Sequence, residues 1–417
     1  MLKHKIVVIG GGPAGMAAAV AAWDNGEKDV VIIDREAELG GILCQCIHNG
    51  FGLHKLGREL TGPEYAYVYY QKIVQRNIKV YCETTVNDIQ SKLNKKIITA
   101  QNKNGIMNIN ADAVILAMGC RERSRGALNI CGERPAGVFS AGCAQKLMNC
   151  YGYKIGRRVV ILGSGDIGLI MARRLTLQGS TVEAVCEIMP YSSGLKRNIV
   201  QCLDDFGISL YLNTTVVKVH GKNRVEGVTI SQVDENKNPI VDTYRFIPCD
   251  ALLTSVGLIP ENELAIRLGI RIDPITGGAV VDQYRQTEVK GIFACGNVLQ
   301  VHDLVDYVSD EAEIAGASAA KYCKGLLKSG MNYQVVPQDH IRYVVPQRLS
   351  QYDAEVDLYF RVSNPISKAQ ITVRMGEQIL IKKKKQYLAP GEMEKLTLNA
   401  EQMKNIDNNI SVLLEVL

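Results

Sequence analysis

The chain opens with Lys5-Ile-Val-Val-Ile9 and Gly10-Gly-Gly-Pro-Ala-Gly15, and Asp34 follows 19 residues beyond Gly15. The apolar run at Lys5–Ile9 leaves no room for a helix before the glycines, so it predicts a strand. The glycines turn the chain sharply, and an alanine-rich helix is expected to begin near Pro13. A second apolar run, Val30–Ile33, predicts the next strand. The order strand, glycine loop, helix, strand and acid indicates a mononucleotide-binding unit.

Each of these residue types has a physical role in holding a dinucleotide. Gly12 lets the backbone approach a pyrophosphate, and Gly15 lets the helix pack closely against the strand. The first amides of the helix and its dipole attract phosphate oxygens, while Asp34 accepts hydrogen bonds from ribose hydroxyls. A lone glycine motif is also compatible with a tight turn that binds nothing. The flanking strands, the helix and the acid favour dinucleotide binding.

Composition limits the class of protein. The chain has 417 residues, of which 47% are hydrophobic and 22% charged, as expected for a globular protein of two or three domains. The net charge is +5, and the basic residues are scattered except for Lys382–Lys385, which argues against nucleic-acid binding. The sequence has no signal peptide and no run of about 18 apolar residues that would span a membrane. Twelve irregularly spaced cysteines therefore predict mostly reduced thiols and a cytoplasmic location.

The opening pattern returns 153 residues later, counted from Gly10 to Gly163. Arg158–Leu162 predicts a strand, Gly163-Ser-Gly-Asp-Ile-Gly168 is the loop, and Glu187 stands 19 residues after Gly168. Glu187 therefore occupies the position that Asp34 has in the first unit. The chain thus contains two mononucleotide-binding units.

The first unit is interrupted by the second. Its sheet is left at Gly119, after a buried apolar strand, and we expect it to be resumed near Ala279, with a helix from about Ser309 to Leu327. Val335–Leu417 alternates polar and apolar residues between turn signals, which predicts a small β-sandwich. The expected fold is α/β, with two Rossmann-like domains and a C-terminal all-β module. The expected boundaries are 1–119 and 278–334 for the first domain, 120–277 for the second, and 335–417 for the module.

This layout resembles the two-dinucleotide-binding-domain flavoproteins of the pyridine nucleotide–disulfide oxidoreductase superfamily, over about residues 4–330. The two glycine loops carry the resemblance, together with the turns Ala117-Met-Gly119 and Ser255-Val-Gly257 and the motif Gly291-Ile-Phe-Ala-Cys-Gly-Asn297. In the family this last motif normally ends in Gly-Asp, and the acid contacts the flavin side of FAD. Asn297 can still form a hydrogen bond there but carries no charge.

The resemblance implies FAD at the first loop and a nicotinamide dinucleotide at the second. Glu187 favours NADH over NADPH, because a carboxylate accepts a hydrogen bond from a free 2′-hydroxyl and repels a 2′-phosphate. Residues 188–194 contain no Arg or Lys that would bind such a phosphate. No four-ligand metal set is present. The residues expected to bind FAD are Gly10, Gly12, Pro13, Ala14, Gly15, Asp34, Arg35, Gly41, Ile42, Val86, Ala117, Gly119, Gly296, Asn297, Leu304 and Val305. Those expected to bind NAD(H) are Gly163, Gly165, Asp166, Ile167, Gly168, Glu187 and Gly257.

The candidate catalytic residues are Cys44, Cys46, His48 and His302. Disulfide reductases of the superfamily have a Cys-x4-Cys pair after a glycine pair, whereas Gly40-Gly41 is followed here by Cys44-Gln-Cys46. Residues two apart on a helix point in different directions, so a disulfide between them is geometrically poor. Three interpretations stay open for these thiols: packing near the flavin, one redox-active thiolate, or a metal or iron–sulfur contact shared with another chain. Each histidine either approaches the flavin or bonds to backbone.

Gly41–Leu53, Leu60–Tyr65 and Gly296–Asp306 resemble a narrower group. It comprises FAD/NAD-binding subunits encoded with glycerol-3-phosphate or 2-hydroxyacid dehydrogenases, related to the α-type subunits of opine oxidase, hydrogen cyanide synthase and sarcosine oxidase. The resemblance implies hydride transfer between nicotinamide and flavin, a helix N-terminus near Ser309 that stabilises reduced flavin, and a partner dehydrogenase or electron carrier. A stand-alone NADH oxidase, peroxide reductase or disulfide reductase using Cys46 is the first alternative, and a non-catalytic assembly subunit is the second. The acceptor and any homo-oligomer stay open.

Overall fold

The computed structural model describes residues 2–92, 95–327 and 330–417. The α-helices of these residues are α1 (Pro13–Asp24), α2 (Gly62–Gln75), α3 (Ala141–Tyr151), α4 (Asp166–Leu177), α5 (Lys196–Cys202), α6 (Glu263–Arg267), α7 (Val305–Cys323) and α8 (Ala400–Lys404). Short 3-10 helices cover Gly41–Gln45, Arg125–Leu128, Asp204–Phe206, Val241–Thr243 and Gly296–Val298. None of the helices in the described part of the chain is long and apolar enough to cross a membrane.

The strands up to the second glycine loop are β1 (Leu2–Ile9), β2 (Val30–Ile33), β3 (Asn49–Phe51), β4 (Leu60–Thr61), β5 (Lys79–Tyr81), β6 (Thr85–Lys92), β7 (Lys95–Asn102), β8 (Gly105–Leu116), β9 (Cys120–Glu122), β10 (Cys131–Gly132), β11 (Val138–Ser140) and β12 (Arg158–Leu162). The next strands are β13 (Thr181–Cys186), β14 (Leu210–Tyr211), β15 (Thr214–His220), β16 (Gly227–Gln232), β17 (Arg245–Pro248), β18 (Ala251–Thr254), β19 (Leu258–Pro260) and β20 (Ile292–Ala294). The C-terminal strands are β21 (Tyr333–Pro337), β22 (Ile341–Val345), β23 (Arg348–Leu349), β24 (Val356–Val362), β25 (Ile366–Met375), β26 (Gln378–Leu388), β27 (Glu394–Leu398) and β28 (Ile410–Val416).

The chain divides into two compact units. The first contains the residues up to Cys120 and those from Pro260 onward, and the second contains Arg121–Ile259. We expected the second domain to extend to residue 277. The return to the first unit comes earlier because Ala265, Ile270 and Ala279 are buried in the same apolar core as β1.

The first unit is built on a mostly parallel sheet with the strand order β5-β2-β1-β8-β7-β6. The apolar run of β1 lies in its middle, and alternate side chains enter two cores on opposite faces, with Val8 in one and Val7 in the other. Burial on both faces explains why this strand is continuously apolar. The expectation that the sheet resumes near Ala279 is wrong: β20 rejoins it beside β8, while Ala279 forms only an isolated bridge with Ile272.

Helices α1 and α7 pack against each other on one face of this sheet. A Cβ atom on Gly316 of α7 would collide with the carbonyl oxygen of Ala18 in α1, so the helices approach as closely as their backbones allow. The helix expected from Ser309 begins one turn earlier, at Val305. Its first-turn acid, Asp306, is buried and accepts hydrogen bonds from the amides of Gly52 (3.3 Å) and Lys55 (2.9 Å). This contact, remote in sequence, extends the helix.

The C-terminal module consists of a five-stranded sheet, β23-β21-β28-β25-β26, and a three-stranded sheet, β22-β24-β27. Leu358 and Phe360 of one sheet and Ile371 and Val373 of the other are buried in one core. This arrangement confirms the expected all-β module, to which the short helix α8 is added. The module is bonded to the rest of the first unit at Gln283, whose amide group donates to Ser350 Oγ (2.6 Å).

The second unit repeats the parallel architecture, with the strand order β11-β18-β12-β13-β14. A four-stranded sheet, β10-β15-β16-β17, lies within the same unit. Val159 and Val160 of β12 enter cores on opposite faces, as Val8 and Val7 do in the first unit. The segment 120–156 supplies β11 to the parallel sheet and α3 to its cover.

Gly316→Ala is expected to destabilise the protein by about 1–3 kcal/mol, because the added methyl group meets a backbone oxygen that is unable to rotate away. This outweighs the gain of about 1 kcal/mol in helix propensity that alanine brings. Thermal unfolding of the two proteins measures the difference. Gly126→Ala is the matched control, because only Ser124 Oγ lies near the added atom, at 3.8 Å. Equal melting temperatures for wild type and Gly316→Ala would contradict the close helix contact.

Candidate functional site

The first glycine loop is held in place by contacts between backbones. Gly10 has a φ angle of +104°, and a Cβ atom there would collide with the carbonyl of Ala117 at the end of β8. A Cβ atom on Gly15 would collide with the carbonyl of Gly10. Around Gly12, in contrast, no atom of the described residues lies within 4 Å of the place a Cβ atom would take. The loop therefore leaves open space directly before Pro13, at the N-terminus of α1.

Asp34 is buried at the end of β2, beside this loop. Its carboxylate accepts hydrogen bonds from the amide of Gly11 and from the amide of Glu36 (2.7 Å). A cavity of 410 Å³ opens next to it, between the ends of the parallel strands. Four residues predicted to bind FAD line this cavity: Gly10, Asp34, Arg35 and Val86. The cavity has the position and the acid that an adenosine moiety requires.

Two further segments close around the N-terminus of α1. The amide of Gly40 donates to the carbonyl of Gly11 (2.9 Å), and a Cβ atom on Gly41 would lie 3.0 Å from the Cα atom of Gly12. Gly296 has a φ angle of +72° and abuts Ala14 in the first turn of α1. The structure therefore brings together glycines that are more than 280 residues apart in sequence, from Gly12 to Gly296.

Asn297 and the start of α7 extend this side of the site. The Asn297 side chain accepts a hydrogen bond from the amide of His302 (3.1 Å) and donates to Cys120 Sγ (3.7 Å). Leu304 immediately precedes α7, which begins at Val305. The partial positive charge of the α7 N-terminus is therefore located in the segment that follows Asn297.

The second glycine loop repeats the first. Gly163 has a φ angle of +98° and abuts the carbonyl of Ser255, as Gly10 abuts Ala117. The amide of Gly168 donates to Ser255 Oγ (3.0 Å), and Gly257 turns the chain with a φ angle of +96°. Gly165 precedes α4 with an ordinary φ angle of −66°. The two loops thus have the same backbone design in two separate units.

Glu187 is the buried acid of the second loop. It accepts hydrogen bonds from the amide (3.0 Å) and hydroxyl (2.5 Å) of Ser164 and from the amide of Met189 (2.9 Å). Asp166, in the first turn of α4 beside Ile167, is bonded to the amide of Leu195 (2.8 Å). Glu187 and Asp34 therefore have the same role in their loops: each carboxylate accepts a hydrogen bond from an amide of its own glycine loop.

Cys44 and Cys46 lie in and directly after the 3-10 helix that begins at Gly41. Cys44 belongs to the 3-10 helix Gly41–Gln45 and its sulfur lies against Gly40, while the Cys46 thiol donates to the carbonyl of Ile42 (3.3 Å). All twelve cysteines are within the described residues, and none of them forms a disulfide bond. The Cys44 thiol therefore lies against Gly40, whose amide is bonded to the glycine loop at Gly11, while Cys46 lies against Gly62 at the start of α2.

The two candidate histidines have different surroundings. His48 packs on Phe51, with 5.1 Å between ring centroids. His302 is buried, and its Nε2 atom lies 3.0 Å from the carboxylate of Glu311 in α7. Sequence reasoning did not identify Glu311. The sequence feature that could have identified Glu311 is an acid on a helix face otherwise made of small residues such as Ala312 and Ala315.

The comparisons with known proteins agree with this geometry. A family model described as pyridine nucleotide-disulphide oxidoreductase matches residues 4–321. The chain belongs to this family. It is accordingly a FAD-dependent NAD(P)H oxidoreductase. The C-terminal module lies beyond the matched residues.

Curated relatives and a solved structure match about three quarters of this chain. Thioredoxin reductase of Ureaplasma parvum is 27% identical over 330 residues, which cover 77% of this chain and 96% of the relative. An opine oxidase subunit of Agrobacterium tumefaciens is 25% identical over 76% of this chain and 63% of the relative. The crystal structure of T. acidophilum thioredoxin reductase superposes with a TM-score of 0.64 at 23% identity, covering 77% of this chain and 99% of that one, which shows the same fold.

The residues of the first loop fit the FAD that the family uses. Open space at Gly12, a helix N-terminus behind it and a cavity beside a buried acid are the features that a flavin dinucleotide needs. When bound, FAD supplies the chemistry of accepting and donating hydride. The glycine loop, Asp34 and the Gly296 turn would hold it.

Gly12→Val and Gly165→Val form a matched pair of tests. Both glycines have ordinary negative φ angles, so valine introduces no backbone strain, but it fills the space where a pyrophosphate would approach. Gly12→Val is expected to weaken FAD binding by at least about tenfold, the equivalent of about 1.4 kcal/mol. Gly165→Val is expected to retain FAD and lose reduction of the flavin by nicotinamide dinucleotide.

Flavin absorbance of the purified proteins, FAD titration of the apoproteins and stopped-flow reduction measure these effects. The melting temperatures of the apoproteins control for misfolding. FAD loss in Gly165→Val with retention in Gly12→Val would reverse the assignment of the two loops.

Proposed function

We propose that this chain is an electron-transfer subunit that moves hydride between NAD(H) and FAD and exchanges electrons with a partner dehydrogenase or electron carrier. The observation that carries the proposal is the pair of glycine loops of one backbone design, each with its own buried acid, Asp34 and Glu187. Two such loops serve two different dinucleotides. The first is proposed for FAD and the second for NAD(H).

The preference for NADH over NADPH rests on Glu187. Its carboxylate is held in place by Ser164 and Met189 and is only 5% exposed, so it would meet the ribose at a defined position. Such a carboxylate accepts a hydrogen bond from a 2′-hydroxyl and repels a 2′-phosphate. No Arg or Lys occurs between residues 188 and 194 to offset that repulsion.

The residues of the first unit bind and orient the flavin in this proposal. The N-terminus of α1 and Gly12 bind the pyrophosphate, Asp34 binds the ribose, and Asn297 forms a hydrogen bond on the flavin side. The N-terminus of α7, at Leu304 and Val305, offers partial positive charge, which stabilises the reduced and more negative form of the flavin. The first unit thereby favours electron storage on FAD.

We propose a partner because the chain lacks the sequence motif that carries electrons from flavin to a small disulfide. The sequence contains no Cys-x-x-Cys pair, the motif that relays electrons in thioredoxin reductase. One of the relatives is named as a subunit of opine oxidase. A chain that reduces flavin but lacks a disulfide relay is suited to pass electrons to another protein.

Anaerobic reduction of the bound flavin tests nicotinamide use directly. Loss of the visible flavin absorbance is expected to be faster with NADH than with NADPH. Glu187→Ala removes the repulsion and is expected to shift the NADPH-to-NADH ratio of kcat/KM by at least about tenfold towards NADPH. Glu183→Ala is the control, since this residue of the preceding strand, β13, pairs with Arg158 at the surface. Faster reduction of the wild-type protein by NADPH would contradict the preference.

A second candidate function is a stand-alone NADH oxidase, peroxide reductase or disulfide reductase that uses Cys46. The position of Cys46 after the 3-10 helix beside Gly12 favours this alternative. We expect Cys46→Ser to leave flavin reduction by NADH within about twofold of wild type, because hydride transfer needs no thiol. Turnover with oxygen, peroxide and disulfides is measured alongside, with Cys131→Ser, an exposed thiol of the second unit, as control.

Loss of oxygen, peroxide or disulfide turnover in Cys46→Ser, with reduction intact, would establish the thiol enzyme instead. Unchanged turnover, together with co-purification of a flavin- or iron-containing partner, would support the electron-transfer role. A protein with bound FAD that NADH leaves oxidised would contradict both and favour an assembly role.

A further inference from the structure

Glu311 of α7 is a fully buried carboxylate that accepts hydrogen bonds on both oxygens. One oxygen accepts from Arg285 Nε (3.2 Å) and from the Gln300 amide group (2.9 Å). The other accepts from the amide of Gly296 (2.9 Å) and from His302 Nε2 (3.0 Å). Burial raises the pKa of Glu311, but the charge and hydrogen bond of His302, the charge of Arg285 and the hydrogen bond of Gln300 bring it below its ordinary value. The four donors and the buried arginine around it are the surroundings of an ionised carboxylate.

The groups that Glu311 holds belong to the segment proposed to contact FAD. The Gly296 amide is part of the left-handed turn that abuts Ala14 at the N-terminus of α1. His302 in turn donates its own amide to the side chain of Asn297. Glu311 thus sets the turn directly, and it sets the orientation of Asn297 through His302. Both effects come from a residue with no place in the glycine motifs.

Arg285 makes the arrangement dependent on charge. It is fully buried, and among the described residues its Nη1 and Nη2 atoms have no hydrogen-bond partner. Its positive charge is therefore compensated at short range by Glu311. A buried arginine that loses its carboxylate partner is strongly unfavourable, so the pair acts as one unit. Gln300 has an amide oxygen in the same cluster that finds no partner among the described residues.

The C-terminal module holds the other end of the same segment. Arg361 of β24 donates to the carboxylate of Asp303 and to the carbonyl of Val301 (3.0 Å). The amide of Met393 donates to the second carboxylate oxygen of Asp303 (2.7 Å). Tyr359, also of β24, packs edge-on against the His302 ring at 5.9 Å. The module is therefore attached to residues 301–303, a few residues after Asn297.

We propose that Glu311 and Arg361 are positioning residues that clamp the Gly296–Asp303 segment from two sides in its FAD-binding conformation. Glu311 holds the Gly296 turn from α7, and Arg361 holds Val301 and Asp303 from the C-terminal module. The module is in this way a structural part of the flavin site. This inference rests on the proposed placement of FAD at the first loop.

Glu311→Gln tests the first half of the clamp. In either orientation of the new amide, its NH₂ group faces two hydrogen-bond donors, Arg285 with Gln300 or Gly296 with His302. Arg285 also loses the negative charge that compensates it. The dissociation constant of FAD, measured by titrating the apoprotein and following flavin fluorescence and visible circular dichroism, is expected to rise at least about tenfold. A merely structural role would lower the apoprotein melting temperature and leave FAD affinity and the flavin dichroism unchanged.

The double variant Arg285→Met, Glu311→Gln supplies the rescue. With the arginine gone, the oxygen of the introduced glutamine can accept from Gly296 and His302. Its NH₂ group can donate to the side-chain oxygen of Gln300 once the Gln300 amide group turns over, since Gln300 now presents its NH₂ group to this position. FAD affinity is expected to return to within about twofold of wild type. Wild-type affinity in Glu311→Gln alone, or no recovery in the double variant, overturns the role of Glu311.

Arg361→Met tests the second half, with Lys385→Met as its matched control. Each substitution deletes an ion-paired cation of the module. Arg361 pairs with Asp303, outside the module, whereas Lys385 pairs with Glu394, within the module. Arg361→Met is expected to weaken FAD binding at least about tenfold and Lys385→Met to leave it within about twofold. Equal effects of the two variants, or none, overturn the clamp. Failure of the wild-type apoprotein to bind FAD would refute the underlying FAD placement instead.

Discussion

Two close backbone contacts, Gly10 on the carbonyl of Ala117 and Gly15 on the carbonyl of Gly10, are the constraint on which the first dinucleotide site depends. They bring the start of α1 against the ends of the central strands, where no side chain would fit. The helix N-terminus then points its amides into the space left at Gly12. The same kind of contact recurs at Gly163 and Ser255, so the second unit obtains its site by the same means.

The interruption of the first unit has a further consequence. Strand β20 returns to the sheet beside β8. The chain therefore leaves the sheet next to the first glycine loop, and it turns at Gly296 against α1. Helix α7 then runs back along α1, which requires Gly316, and carries Glu311 under the turn that preceded it. The C-terminal module packs on the same segment through Arg361. One discontinuous unit thereby joins the glycine loop, the buried charges and the module.

Features that depend on local chain stiffness and on apolar periodicity were predictable from the sequence. The strands at Ile6–Ile9 and Val159–Leu162 and the turns at Gly10 and Gly163 are such features, and the structure has them. Features that depend on remote contacts were not. The sequence predicts that the chain returns to the sheet near Ala279, but the returning strand is Ile292–Ala294, which pairs with β8. The start of α7 was placed at Ser309, but Asp306 gains its partners from residues 52 and 55.

Three features could be read from the sequence alone: two glycine loops of the dinucleotide-binding type, the acids Asp34 and Glu187 that follow their strands, and Asn297 where the family has Asp. These are properties of short segments, where glycine freedom and strand periodicity act within a few residues. The fold was needed to show that Glu311, Arg285 and His302 form one buried cluster beside Gly296, and that Arg361 of the module donates hydrogen bonds to the same segment. Buried charges are stable only when charged or hydrogen-bonding partners lie next to them. Here those partners come from distant parts of the chain, so no short sequence pattern reveals the cluster.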